Sequence, residues 1–260
     1  MVTKYKKIAE VAALAGKILL ESHAESYRVE ETVYHILKTS GFSMTEVVST
    51  STGLTMTLDD DDEAIDPITL VRRVNERTTH LSKIYRVNNI SRALVKEEMD
   101  IETAYKKLLK IDASEYNVFS KDLATILLVL GFAILFGANG IELILAFLTG
   151  CLVAFSRILK EWLALNGFIY GIISTLISSF CLSLIVTLIP GKINQDIIIV
   201  SALMPLFPGT AFTNGIRDVL KGDYVSGVAR IADAFVIAVS LALGVALGLF
   251  LSQGVQSWFN

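Results

Sequence analysis

The sequence predicts a membrane protein with two parts, a cytoplasmic α+β domain over residues 1–118 and a bundle of five transmembrane helices over residues 119–260. Three observations support this prediction. From Asp122 onward the chain holds only 6 of its 23 basic and 7 of its 26 acidic residues. Long uncharged runs occupy the same part of the chain. The loops between these runs alternate between rich and poor in positive charge.

Hydrophobic periodicity predicts the elements of the soluble domain in order. Apolar residues at helical spacing predict helices over Lys4–Ser22 and Arg28–Lys38. Runs rich in Val, Thr and Met then predict a strand hairpin, and a third strand follows an acidic turn. The predicted strands are Ser43–Thr50, Leu54–Leu58 and Ile68–Val74, and the last predicted helices are Thr78–Lys96 and Asp100–Ile111, with Asp100 as an N-cap.

No motif in the soluble domain predicts catalysis or a metal site. Glu31 and His35 lie four residues apart on one helix face, which is typical of a surface pair. The run Asp59–Glu63 lacks the alternating ligands and turn glycine of a calcium loop, so we predict a solvated turn. Cys151 and Cys181 fall in apolar runs and are predicted to be buried hydrophobes. We therefore expect no enzymatic activity, no cofactor, no metal and, without a basic stripe, no nucleic-acid partner.

Five transmembrane helices are predicted from the uncharged runs, because a helix that crosses the hydrocarbon core needs about 20 residues. Their approximate ranges are 122–138, 141–157, 167–189, 197–216 and 230–252. Gly137–Gly140 is a turn signal, so the first two spans are predicted to form a tight hairpin with Glu142 near one membrane face. The alternative for this stretch is a single long helix.

Positive charge determines the predicted orientation of these spans. Lysines precede the first span, and basic residues follow the second and fourth, whereas the other loops hold only Lys192. Because basic loops stay in the cytoplasm, the N-terminal domain is predicted to be cytoplasmic and the C-terminus to lie outside. The N-terminus also lacks the unbroken apolar core of a secretory signal.

The predicted fourth span contains Pro205, Pro208 and Gly209. Proline removes a helical hydrogen bond, so we predict a broken helix and a half-helix that begins near Gly209 or Thr210. Open backbone at membrane depth is tolerated beside an aqueous cavity, and the free N–H groups of a half-helix suit a carboxylate. A simple packing kink is the alternative. The residues after the break are polar: Thr210, Thr213, Asn214, Arg217 and Asp218.

Two features of the neighbouring spans also bear on function. Asp233 lies three residues after Arg230, so the two side chains are predicted to neutralise each other. Asp233 is either part of a structural ion pair or a titrating group for proton coupling. The third span carries small residues for which helix packing is favoured over a substrate path: Gly171, Ser174, Thr175, Ser178 and Ser179.

The segment LFPGTAFTNGIRDVLKGDYVSGVARIADA resembles the threonine/serine exporter family of bacterial inner-membrane proteins, and the segments TGLTMTL and RVNNISRALVKEEMDIETAYKKLLKI agree. The resemblance covers nearly the whole chain. It implies a secondary carrier that expels small hydroxy amino acids, and some two-component relatives are associated with dicarboxylates such as succinate. Because fused members of the family have more spans, the resemblance implies the larger half of a split system with a short hydrophobic partner.

Two functions of different classes are consistent with these features. The first is a subunit of a proton-coupled exporter of threonine, serine or a dicarboxylate, which acts in the lipid bilayer with a small hydrophobic partner subunit or as a homo-oligomer. The second is a membrane-anchored enzyme or sensor whose N-terminal domain carries the activity. For the exporter, the predicted substrate site comprises Pro208, Gly209, Thr210, Asn214, Arg217 and Asp218, and Asp233 is the candidate for proton coupling.

Overall fold

The computed structural model describes residues 2–62, 65–75, 77–112 and 117–257. The chain divides into two compact units. The first unit comprises Met1–Glu115 and Gly209–Asp233, and the second comprises Tyr116–Pro208 and Ala234–Asn260. The first unit thus includes a segment far beyond residue 118, where the sequence predicted the soluble domain to end.

The N-terminal part of the first unit follows the predicted order of elements. Its helices and strands are α1 (Val2–Glu21), α2 (Ser26–Lys38), β1 (Met44–Thr50), β2 (Gly53–Asp59), β3 (Ile68–Arg73), α3 (Leu81–Val95) and α4 (Ile101–Asp112). The strands form an antiparallel sheet in the order β1-β2-β3, in which Met56 lies opposite Val47 and Leu70. The predicted hairpin and third strand are present. Glu63, the last residue of the predicted acidic turn, lies outside the described residues.

Helix boundaries in this part reflect local hydrogen bonds. Helix α3 begins at Leu81, later than the predicted Thr78. The backbone N–H of Thr78 donates to the carbonyl oxygen of Glu21 at 2.9 Å. This bond holds residue 78 against the end of α1, so α3 starts only after it. The predicted cap of α4 is confirmed, because Asp100 Oδ1 accepts the backbone N–H of Thr103 at 2.6 Å.

The core of the first unit lies between the four helices α1, α2, α3 and α4 and one face of the sheet. Ile18, Val33, Leu54 and Leu108 are fully buried there. Gly16 lets α1 approach the sheet closely, because a Cβ at this position would overlap the Leu54 side chain and lie 2.8 Å from Val33 Cγ2. A side chain at position 16 would therefore force the helix away from the sheet.

The remaining helices follow α4 in the chain. They are α5 (Val118–Leu135), α6 (Gly140–Trp162), α7 (Gly167–Leu188), α8 (Gln195–Leu203), α9 (Gly209–Leu220) and α10 (Tyr224–Gln256). Among the described residues, four helices, α5, α6, α7 and α10, are long and apolar enough to cross a membrane. The chain is therefore a multi-pass membrane protein.

The predicted hairpin of α5 and α6 is present, so the alternative of one long helix is wrong. Gly137 adopts a positive φ of 84° in the turn. Asn139 then caps α6 by accepting the N–H groups of Ile141 and Glu142, and Glu142 Oε2 accepts the N–H of Asn139 at 2.8 Å. Glu142 is buried and also accepts the N–H of Asn194 at 2.7 Å, so its carboxylate joins two turns of the second unit.

Small residues of α7 pack against α10, as the favoured interpretation of the third span predicted. Thr175 Oγ1 donates to the Leu241 carbonyl oxygen at 3.1 Å. A Cβ on Gly244 would overlap Thr175 Oγ1, and one on Gly248 would overlap Ser179 Oγ. The two helices therefore approach each other through facing small residues, which is a common mode of packing in membranes.

Candidate functional site around helix α9

The helix break predicted in the 197–216 segment is present. Helix α8 ends at Leu203, residues 204–208 are not helical, and α9 begins at Gly209. Pro205 and Pro208 lack the backbone N–H that a continuous helix would need. Pro208 precedes the first turn of α9, and the leading N–H groups of any α-helix have no acceptor within the helix. The break thus leaves a row of open donors at the start of α9.

Helix α9 belongs to the first unit, and polar side chains hold it there. Asn214 Nδ2 donates to the carbonyl oxygen of His23 at 2.8 Å. The hydroxyls of Thr210 and Thr79 lie 2.8 Å apart, at hydrogen-bond distance. Gly215 is buried against α10, where an added Cβ would lie 3.0 Å from the Gly227 carbonyl oxygen. The polar face of α9 therefore packs on the segment that follows α1 and on the first turns of α10.

Asp218 caps a helix that is distant in the sequence. Its Oδ1 accepts the backbone N–H of Ser26 at 3.1 Å, and its Oδ2 accepts the Ser26 hydroxyl at 3.4 Å. Ser26 is the first residue of α2, whose own N-cap residue, Glu25, makes no side-chain capping bond. A carboxylate at this position satisfies an open N–H and interacts favourably with the helix dipole. Asp218 thus supplies the cap that the local sequence lacks.

Arg230 completes a buried polar cluster around the same helix end. Its Nε lies 3.2 Å from Asp218 Oδ2, and its Nη1 donates to the Ala24 carbonyl oxygen at 2.9 Å. Arg230 is only 2% exposed and Asp218 only 1%. Burial raises the pKa of the Asp218 carboxyl, and the positive charge of Arg230 opposes this shift. We call Asp218, Arg230 and Ser26 the α2 cap cluster.

The pairing predicted between Arg230 and Asp233 is wrong. Arg230 pairs with Asp218, and Asp233 Oδ2 accepts a hydrogen bond from Arg77 Nη2 at 3.0 Å. The side chains of Arg230 and Asp233 extend from α10 into different environments. Arg230 is buried, whereas the Asp233 side chain is 64% exposed. Of the two interpretations of Asp233, the structure provides an ion pair, although with a partner from the N-terminal part of the chain.

Glu25 lies beside the cap cluster and joins two arginines. Arg217 of α9 donates to Glu25 Oε1, and Arg28 Nε lies 3.3 Å from Glu25 Oε2. The Glu25 side chain is largely buried between them. Glu25 therefore holds one arginine of α9 and one arginine of α2 at the same time.

His23 has the most strongly shifted pKa in this region. Its pKa is lowered to about 4 by burial and, to a smaller extent, by the positive charges of Arg77 and Arg230. The ring Nδ1 lies 3.3 Å from Thr79 Oγ1. His23 also adopts a positive φ of 61° directly after α1. The imidazole is therefore neutral at physiological pH.

The predicted site residues thus divide at the helix break. Pro208 belongs to the second unit, and the others belong to the first. Asn214, Arg217 and Asp218 bind groups of residues 23–26, while Thr210 contacts Thr79. Sequence reasoning missed the N-terminal partners of this cluster, because nothing in residues 23–26 marks them as the docking surface of a segment so far along the chain.

The family of the chain follows from a comparison with known protein families. Residues 10–252 match the ThrE family, described as "Putative threonine/serine exporter". No curated protein and no solved structure gave a significant match. The matched region includes both the N-terminal elements and the helix break with the cap cluster. The chain therefore belongs to the threonine/serine exporter family.

Proposed function

We propose that this chain is a subunit of a bacterial inner-membrane secondary transporter that exports a small carboxylate-bearing metabolite and is coupled to the proton gradient. Threonine, serine and a dicarboxylate such as succinate are the candidate substrates. The family match supports a membrane transporter of hydroxy amino acids. The observation that carries the proposed site is the helix break, which is followed by a helix start with open N–H donors.

The proposed substrate site uses these donors for the carboxylate. A carboxylate that leaves water must exchange its hydration for fixed hydrogen-bond donors, and the first turn of a helix offers several in one place. The hydroxyl of Thr210 lies at the same helix start. Asn214 uses its Nδ2 to bind His23, which leaves its Oδ1 as an acceptor for the ammonium group of an amino acid. Arg217 and Asp218 hold the helix in position through Glu25 and Ser26.

Five membrane crossings are part of the proposal, and the composition of the first unit supports them. In the proposed topology both ends of the intervening segment lie on one side of the bilayer, because Met1–Glu115 and Gly209–Asp233 pack together in this unit. A segment that starts and ends on one side crosses an even number of times. Helices α5, α6 and α7 supply three crossings, so the stretch with α8 and the break supplies a fourth and α10 a fifth. The lysines before α5 and the basic residues after the helix break support a cytoplasmic location for this unit.

Asp233 is the proposed proton carrier. Its carboxylate is the exposed member of the pair with Arg77, and it lies at the point where α10 passes from the first unit into the second. A half-exposed ion pair can open at low energetic cost, because surface pairs contribute only about 0–1 kcal/mol. Protonation of Asp233 would break its ion pair with Arg77. Arg77 lies two residues before Thr79, which contacts Thr210 of α9, so this step would connect the proton to α9.

A second subunit is part of this proposal. Helix α5 is the least buried of the four long apolar helices: 11% of its most apolar stretch is buried, compared with 44% for α6. Such a helix requires lipid or another subunit around it. The resemblance to split exporters favours a small hydrophobic partner, and a homo-oligomer is the alternative.

Efflux from proteoliposomes tests the proposed function. Vesicles that contain the chain are loaded with radiolabelled threonine, serine or succinate, with and without a candidate partner, and a pH gradient is applied. We expect gradient-dependent efflux of at least one substrate, and faster efflux with the partner. Absence of efflux for all three substrates under every condition would contradict the proposal. Hydrolysis of amide or ester substrates by the same preparation would instead support a membrane-anchored enzyme.

A further inference from the structure

A groove of about 540 Å³ lies between α2 and α3 in the first unit, on residues that the proposed transport function does not use. Its volume falls within the range of about 300–1,000 Å³ that is typical of small-molecule sites. Tyr27, Arg28 and Glu31 line it from α2, and Asn88, Ser91 and Arg92 line it from α3. The groove is thus large enough for a metabolite and has many polar groups.

The floor of the groove offers uncharged hydrogen-bonding groups. Thr32 and Ser91 are buried, and Thr32 Oγ1 donates to Asn88 Oδ1 at 3.4 Å. With Oδ1 facing Thr32, the Nδ2 group is the donor that Asn88 retains for a ligand. Neither Asn88 Nδ2 nor Ser91 Oγ has a partner within the described part of the chain. Both groups line the groove and can donate hydrogen bonds to a polar ligand.

The rim of the groove carries an excess of positive charge. Arg28, Arg92 and Lys96 line it, with Glu31 as the one lining carboxylate. Arg28 forms an ion pair with Glu25, whereas Arg92 and Lys96 form none with the residues that the structure describes. Arg92 lies in the last turn of α3 and Lys96 is the C-cap residue four positions later, so two like charges lie side by side. An anion between the two charges would offset their mutual repulsion.

We propose that this groove binds a small organic or inorganic dianion, a dicarboxylate or a phosphate, through Arg92 and Lys96 at the rim and Asn88 and Ser91 at the floor. Carboxylate and phosphate oxygens accept bidentate hydrogen bonds from guanidinium groups, and the neutral donors fix the orientation of the ligand. A zwitterionic amino acid has no net charge, so it gains less from the positive rim. The site is separate from the proposed transport site, and the inference does not depend on the direction or substrate of transport.

Isothermal titration calorimetry on the detergent-purified full chain tests this inference. Inorganic phosphate, succinate and threonine are titrated as separate probes. We expect phosphate or succinate to bind more tightly than threonine, and to bind more weakly at high salt. The double variant Arg92→Gln/Lys96→Gln should weaken this binding about tenfold or more, because it removes two charge-assisted contacts.

Two further variants separate the groove from general effects of charge. Lys107→Gln/Lys110→Gln removes two exposed positive charges of α4 outside the groove and should leave binding within about twofold of the original. Ser91→Ala removes a floor donor without a change of charge and should weaken binding on its own. The proposal is overturned if no dianion binds, if threonine binds more tightly than both dianions, or if both charge variants weaken binding equally. Succinate binding that survives Arg92→Gln/Lys96→Gln would also overturn it.

Discussion

The buried pair of Asp218 and Arg230 allows a quantitative prediction about the first unit. Both side chains are almost fully buried, with Arg230 Nε 3.2 Å from Asp218 Oδ2. Removal of one partner from a buried pair leaves an uncompensated charge and costs about 3–5 kcal/mol. Arg230→Met keeps much of the side-chain volume, and Asp218→Asn is isosteric. We expect each single variant to lower the free energy of unfolding of the first unit by about 3 kcal/mol or more.

The double variant distinguishes loss of the ion pair from a general effect on packing. When both charges are removed, no buried charge is left without a partner, so the double variant should be less destabilised than the sum of the single variants. The coupling free energy should exceed about 1 kcal/mol. Urea unfolding in mild detergent at pH 7.5 measures these quantities. Hydrogen exchange of the peptide with Ser26 provides a local readout, because Ser26 N–H donates to Asp218. Additive single variants, or single costs below about 1 kcal/mol, would contradict the stabilising role of this pair.

Four further predictions follow from the same structure. The pKa of His23 is lowered from 6.5 to about 4, so between these pH values the unfolded state binds a proton that the folded state does not. The free energy of unfolding therefore falls as the pH is lowered. The substitution His23→Asn tolerates the positive φ and should reduce the loss of stability between pH 7 and pH 5 by about 1–2 kcal/mol in urea unfolding. Gly16→Val should destabilise the first unit by about 1–3 kcal/mol in the same assay, because Leu54 and Val33 occupy the space. In intact cells, an impermeant maleimide should label a cysteine at position 256 but not at position 61 in a cysteine-free background, and the opposite result would contradict the orientation. Asp233→Asn should flatten the dependence of efflux on pH, whereas an unchanged pH profile would remove Asp233 as the proton carrier.

Elements of the N-terminal part could be predicted from the sequence because each depends on a local pattern. The period of apolar residues changes from that of α2 to that of β1, and the two runs of the hairpin are separated by a short turn. Asp100 could be identified as a cap because the bond to Thr103 spans three residues. The turn between α5 and α6 could be predicted for the same reason, because its signal lies in the four adjacent residues Gly137–Gly140.

The α2 cap cluster could not be predicted, because its members are distant in the sequence. Ser26 and Asp218 are separated by 192 positions. No periodicity or turn residue encodes such a pairing, and with one sequence there is no covariation from which to infer it. The only local sign was an arginine and an aspartate close to apolar runs. The sequence also suggested the nearest opposite charge, Asp233, as the partner of Arg230, whereas the fold provides Asp218.

Helix α9 shows how hydropathy can misplace the end of a predicted span. Residues 197–216 form one uncharged run, yet only its first half belongs to the second unit, because α9 packs in the first unit through Asn214 and Gly215. Phe212, Ile216 and Leu220 lie on the opposite, exposed face at a spacing of four residues. The helix is therefore amphipathic, and its polar face rather than its mean hydropathy determines its place in the fold.

Substrate flux through a variant of the helix break is the sharpest test of the proposed carboxylate site. Gly209→Leu adds a branched side chain at the first residue of α9 and should obstruct access of a carboxylate to the open N–H groups. Gly131→Leu is the matched control, because a Cβ at position 131 meets no atom within 4 Å. At equal protein levels in proteoliposomes, we predict that Gly209→Leu abolishes or strongly slows the efflux of the radiolabelled substrate, that Asn214→Ala slows it, and that Gly131→Leu does not. Unchanged rate and substrate preference in both Gly209→Leu and Asn214→Ala would show that the break is only a packing kink and would contradict the proposed site.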